Sequence, residues 1–302
     1  MSRPLRYTVI LALVGVLAAL AAVSGWRYAR ASAPVNGPII LLSIDALRAD
    51  RLPAYGYAAG RTAAIDALAK DGVVFERAYA HVPQTLPSHA GLLTGRLPFE
   101  HGVRDSVGFV MNDSERSLAE MLGDRGYATA GVVSSFLLRK DTGIGQGFTL
   151  FDTGAREPET GPPLVRDGDD AERVAERWFD SAGTTRAFLF LHIADPMAED
   201  GATTYDARVT KADQSVGRLV RYLKEHQLYD QSTIVLVSDH GQGLGEQGEA
   251  GHGLLLNDDV LHTPLIVKQA AGAGAGRRVS TPVQQIDIVP TILDLAKAPV
   301  PG

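Results

Sequence analysis

PIILLSID (residues 38–45) and STIVLVSDH (residues 232–240) decide the architecture. Each begins as an unbroken apolar run of strand length and breaks off at an acidic residue. A strand that is apolar at every position is covered on both faces, as in a parallel sheet with helices above and below. AFLFLH at 187–192 has the same character, and Ala128–Val133 and Pro264–Val267 are weaker versions. Helical stretches lie between them at Thr62–Lys70, Ser114–Asp124, Ala171–Ser181 and Asp206–His226, with a last helix near Ile286–Lys297. Strands alternating with helices predict an α/β fold: a doubly wound, mostly parallel sheet with helices on both faces. Gly154–Asp170 reads as a surface excursion and Ala270–Gly276 as a flexible turn.

A chain of 302 residues, 45% hydrophobic and 21% charged, supports one large domain with a sizeable core. The net charge of -6, with no basic face, argues against nucleic acid as a partner. Cysteine is absent, which excludes disulfides, thiolate metal sites and a cysteine nucleophile. The N-terminus reads differently. Arg3 and Arg6 precede an uncharged run from Tyr7 to Trp26, and Arg27 and Arg30 follow it. That length suits a helix crossing a hydrocarbon core of ~30 Å. Ala31-Ser32-Ala33 also looks like a cleavage site, although Pro34 follows it. The expected organisation is an anchor or signal segment over 1–35 and one domain over 36–302. The domain is expected outside the cytoplasm, held by a single-pass helix, with secretion to the periplasm after cleavage as the alternative.

Two of the strands end in residues able to bind a cation: Ile44 is followed by Asp45, and Ser238 by Asp239-His240. In open α/β sheets, ligands gather where loops diverge at the carboxyl ends of strands. Carboxylates with one imidazole suit a divalent ion such as Mn, Zn, Mg or Ca. An Asp after a strand also serves as a cap or turn residue. Further along, QTLPSHAGLLTGR (84–96) places Pro87 in the first turn of a helix, with Thr85 at its N-terminus. A hydroxyl there faces backbone N–H groups and the positive end of the helix dipole, where a tetrahedral oxyanion is stabilised. Thr85 is therefore a candidate nucleophile or phosphate ligand, or a simple N-cap.

LLSIDALRADRLPAYGY, TLPSHAGLLTGR with HGVRD after it, SDHGQGLGEQGE with GHG after it, and QIDIVPTILDLA occur in this order over roughly residues 38–298. Together they resemble the sulfatase branch of the alkaline phosphatase superfamily. The resemblance implies an alkaline phosphatase-like α/β sandwich, a bound metal and a covalent enzyme intermediate. It also implies Asp45, Asp239 and His240 as metal ligands, with Thr85 as both ligand and nucleophile. Relatives place a substrate-contacting cation or His at the positions of His192 and His252, and His89, four residues after Thr85, is a further catalytic candidate. His81, His101, His226 and His262 read as structural or solvent-facing.

The departures from the family pattern narrow the chemistry. Sulfate-cleaving members carry a Cys or Ser, oxidised to formylglycine, in a motif ending in Pro-x-Arg; here those positions are Thr85 and His89. Threonine cannot yield the formylglycine aldehyde. The paired acids of those enzymes are Asp45-Ala46 here, and His240 stands where they have Asn. Asp195-Pro196-Met197 and Gln247 each lack a histidine that many relatives have, so one metal is expected rather than two. Arg48 and Asp50 match a family signature, read either as a loop brace or as substrate contacts. Relatives usually continue past the 286–297 helix into a smaller C-terminal subdomain, which this sequence does not show.

The expected function is metal-dependent hydrolysis of phosphoester or phosphonate bonds through Thr85. The substrate would be a small molecule or a lipid or glycan ester. A membrane-anchored transferase of phosphorylated head groups, a sulfuric ester hydrolase and a non-catalytic binding protein are the alternatives.

Overall fold

The computed structural model describes residues 37–154, 165–182, 186–197 and 204–300. The expected anchor over 1–35 lies outside these residues, as does 155–164 of the surface excursion. Among the described residues no helix is long and apolar enough to cross a membrane. The longest, Tyr205–Glu225, carries acidic and basic residues along its length and packs one apolar face, as a surface helix does. The single-pass placement expected from sequence is corrected accordingly.

In chain order the strands are β1 (Ile39–Ile44), β2 (Val73–Tyr79), β3 (Ala128–Val132), β4 (Leu150–Asp152), β5 (Ala187–Ile193), β6 (Thr233–Val237), β7 (Gly243–Leu244), β8 (Ala250–Gly251), β9 (His262–Lys268), β10 (Arg277–Val279) and β11 (Val283–Gln284). The helices longer than one turn are α1 (Ala63–Asp71), α2 (Thr85–Thr94), α3 (Leu118–Gly123), α4 (Gly168–Ala182), α5 (Tyr205–Glu225) and α6 (Ile288–Leu295). Nine strands form one sheet in the order β10-β2-β9-β6-β1-β5-β3-β4, with β11 also paired to β2. Only β9 runs antiparallel to its neighbours β2 and β6, so the sheet is mostly parallel.

The uninterrupted apolar character of β1 has its cause in two cores. Ile40, Leu42 and Ile44 pack with α1, α4 and α5, while Ile39 and Leu41 pack on the other face with α2, α3 and α6. Each such fully buried side chain contributes roughly 1.5–3 kcal/mol relative to exposure, an upper figure because unfolded chains already bury some apolar surface. That places β1 at the sheet centre. From β1 the chain leaves to β2, and later it enters β5 on one side of β1 and β6 on the other. Loops therefore diverge at the carboxyl ends of β1, β5 and β6, which is where a crevice forms. Ser43 of β1 lies beside Val237 of β6 and His192 of β5, so Asp45 and Asp239 emerge next to each other.

Candidate active site

Asp45, Thr85, Asp239 and His240 are completely buried, and each arrives from the end of an element. Asp239 Oδ1 accepts from the backbone N–H of Ala46 at 3.1 Å and of His240 at 2.9 Å, which leaves Oδ2 facing inward. Asp45 Oδ2 takes the Nε2–H of His192 at 3.2 Å. The remaining oxygens, Asp45 Oδ1 and Asp239 Oδ2, have no hydrogen-bond donor although both are buried. His240 donates from Nδ1 to the carbonyl of Gly241 at 2.8 Å, so its lone pair is on Nε2. That nitrogen lies 3.5 Å from Asp45 Oδ1 and 3.3 Å from Asp239 Oδ2. Two orphaned carboxylate oxygens and an imidazole lone pair, all within 4.8 Å of one another, form a donor set suited to a divalent cation.

Charge balance points the same way. Burial and then the neighbouring Asp45 carboxylate push Asp239 well above the ordinary carboxylate range. Burial alone would raise Asp45 as well, but the His192 hydrogen bond and the nearby imidazoles hold it well below that range. Burial, then His252, lowers His240 to about 4, which keeps it in the neutral, ligating form. A bound cation would favour the ionised form of both carboxylates.

Thr85 is the first residue of α2 and follows the extended Gln84. Its hydroxyl lies 3.3 Å from His240 Nε2, 3.5 Å from Asp45 Oδ2 and 3.9 Å from Met197 Sδ. Residues 38–298, which carry all of this geometry, match the sulfatase family. The chain belongs to the sulfatase family.

Among curated members of the family, the uncharacterized sulfatase YidJ of Escherichia coli is 32% identical over 104 residues, 33% of this chain and 20% of that protein. Mouse steryl-sulfatase is 25% identical over 400 residues, 89% of this chain and 63% of that protein. The chain thus spans less than two thirds of the length of these relatives. Among solved structures, the phosphonate monoester hydrolase of Agrobacterium radiobacter superposes with a TM-score of 0.70 at 19% identity, over 87% of this chain and 74% of that one. Another, determined with its substrate D-glucosamine-2-N,6-O-disulfate, gives 0.74 at 18% identity, over 88% and 78%. These likenesses establish an alkaline phosphatase-like fold for this family member.

The three further candidate histidines occupy different situations. His89 is fully buried; its Nδ1 donates to the Thr85 carbonyl at 2.7 Å and its Nε2 accepts from the Ser43 hydroxyl at 2.9 Å. Burial, then the neighbouring His192 ring, lowers it to about 3, so it is neutral. His192 uses Nδ1 to accept from Ser134 N–H at 3.2 Å and Nε2 to hold Asp45. His252 is half-buried, donates from Nδ1 to Pro83 O at 3.0 Å, and lies against the His240 ring at 4.2 Å between centroids. Its Nε2 has no hydrogen-bond partner among the described residues.

Three further residues support the cluster, of which only Arg48, with Asp50, was readable from the sequence as a brace. The Tyr205 hydroxyl donates to Ala46 O at 2.7 Å and accepts from Arg48 N at 2.8 Å, framing the turn after Asp45. Gln285, from the QIDIVPT motif, sends its Nε2 to both Ser238 O and Asp239 O at 2.7 Å. Arg48 is buried and reaches Asp50, Asp259, Glu246 and Gln242 O. The only signal for Gln285 was its place in a family motif.

Proposed function

We propose that the chain hydrolyses phosphoester or phosphonate bonds with Thr85 as nucleophile and Asp45, Asp239 and His240, with Thr85, holding one divalent metal. The observation that carries this reading is the Thr85 hydroxyl, placed at a helix N-terminus within 3.5 Å of Asp45 Oδ2 and 3.3 Å of His240 Nε2, beside residues whose other carboxylate oxygens are orphaned. A bound cation supplies positive charge that favours the alkoxide and polarises the ester. Asp45 Oδ2 and His240 Nε2 are the two acceptors within reach of the Thr85 hydroxyl proton. The Thr85 Oγ1–phosphorus bond forms as the leaving-group bond breaks, and the N-terminus of α2 faces the developing negative charge. His192 and His89 orient Asp45 and Thr85; with both ring nitrogens engaged they are positioning groups. His252 Nε2 is open, so it supplies the proton to the leaving oxygen and takes one from the water that releases the phosphoryl group.

Threonine also separates phosphoryl from sulfuryl chemistry. A sulfo-threonine lacks the second hydroxyl by which formylglycine hydrate expels sulfate, whereas a phospho-threonine is open to attack by water. The test is kcat/KM for matched aryl phosphate, phosphodiester, phosphonate and sulfate esters. Phosphorus esters should lead, Thr85→Ala should lose at least roughly 10³-fold, and Thr85→Ser should keep part of the rate. A preference for the sulfate ester with Thr85→Ala unaffected would overturn both nucleophile and substrate class.

A further inference from the structure

Thr85 and the cluster beneath it are buried, and among the described residues Met197 and His252 touch them and also reach the surface. Two loops are tied to the residues flanking Thr85. Residues 105–110 are held by Gln84 Nε2 on Asp105 at 3.4 Å and by Leu86 N on the Ser106 hydroxyl at 3.2 Å. Residues 252–256 are held by His252 on Pro83 O at 3.0 Å. Both loops turn large apolar side chains outward: Val107 is 73% exposed and Leu254 85%, with Val110, Leu255 and Leu256 also exposed.

The outward pose of the leucines is built in. The Glu249 carboxylate accepts the successive N–H groups of Leu254 at 3.0 Å and Leu255 at 2.9 Å, fixing this backbone instead of letting it collapse. Single exposed apolar residues need no explanation, but apolar clusters on loops bound to one reactive centre mark a binding surface. The polar centre recognises an anionic head, and continuity with that centre puts the remainder of the same molecule on the apolar loops.

We propose, resting on the hydrolase reading above, that the substrate is an amphiphilic ester: a phosphoryl or phosphonyl head on an alkyl or aryl tail that lies against leucines 254–256 and the 105–110 loop. In a series of alkyl p-nitrophenyl phosphodiesters kept below their critical micelle concentrations, kcat/KM should rise about two- to fourfold per added methylene. The variant Leu254→Ser/Leu255→Ser/Leu256→Ser should flatten that rise while cleaving the methyl ester within twofold of wild type. Octylphosphonate should bind more tightly than methylphosphonate by calorimetry, and the variant should lose the difference. A flat series with the methyl ester well cleaved, or equal binding of the two phosphonates, overturns the tail site and leaves the hydrolase reading intact. No turnover of any ester, with tail-dependent binding retained, overturns the hydrolase reading alone. A dependence that appears only above the micelle concentration assigns the loops to a lipid surface. A dimer that the serine variant dissociates, with the chain-length slope unchanged, assigns them to a second copy. Either result overturns the proposal.

Discussion

Ala46 has a left-handed backbone, φ 58°, which a non-glycine residue adopts only at a cost. The turn aims its N–H at Asp239 Oδ1, so the strained residue joins the two acids of the cluster. The members of this cluster were legible in the sequence because Asp45 and Asp239-His240 end apolar strands. Which histidine nitrogens are occupied was not legible, because it depends on Ser43, Ser134, Pro83 and Gly241, partners brought close only by the fold. Asp239→Asn tests the cluster at this scale. Asn keeps an oxygen for the two N–H groups and removes a buried carboxylate beside Asp45. The metal-free variant should therefore be at least as stable as metal-free wild type. Added metal should raise wild-type stability by about 2.7 kcal/mol at a hundredfold excess over Kd and leave the variant unchanged. Thermal melts with and without Mn, Zn, Mg and Ca read both arms; an equal rise in the variant would remove Asp239 from the ligand set.

Among elements, the β7–β8 hairpin and the loop after β1 meet at Arg48. The Arg48–Asp50 pair was readable from sequence as a brace, but its further reach to Glu246, Asp259 and Gln242 O required the hairpin to fold over it. Its guanidinium is nearly inaccessible while Asp50 and Glu246 are partly exposed, so removing it strands charges that water can partly rescue. Arg48→Met should cost roughly 1–3 kcal/mol in chemical denaturation and lower kcat/KM, because the hairpin leads into His252. Arg48→Lys should recover only part of both, since one ammonium cannot match a fork of this geometry. Unchanged kcat/KM in Arg48→Met would show that the hairpin does not position the centre. Gln285→Ala should similarly lose about 1–3 kcal/mol, as two buried carbonyls next to Asp239 lose their donor.

For the whole molecule, the doubly wound sheet was readable because β1, β5 and β6 are apolar throughout. β2 was not, since VVFERAY places Glu76 and Arg77 in a partly exposed strand and shows neither uniform burial nor clean alternation. Nor was the reversal of β9, because an apolar run reads the same in either direction. Global stability carries a second signature, away from the cluster, between α4 and α5. Glu172 is fully buried there, and burial followed by the neighbouring Glu176 carboxylate lifts its pKa from 4.5 to about 8, against the opposing charge of Arg218. A raised acid favours folding fully below its unfolded pKa, and that contribution fades as pH rises through about 8. Glu172→Gln should thus gain on wild type by roughly 5–10 °C in Tm on going from pH 6 to pH 9. A constant difference across that range would place the titration elsewhere.

The central claim is that Thr85 carries the phosphoryl group between substrate and water. It is tested most directly by acid-quenching a phosphodiester reaction at early times and mapping phosphorylation by peptide mass spectrometry. With a p-nitrophenyl leaving group, which departs without a proton, the account predicts a phosphoryl group on Thr85 in wild type, more of it in His252→Gln, where only release is slowed, and none in Thr85→Ala. Turnover with no phosphorylation of Thr85 in either of the first two proteins, or with an equal label on another residue, would contradict it.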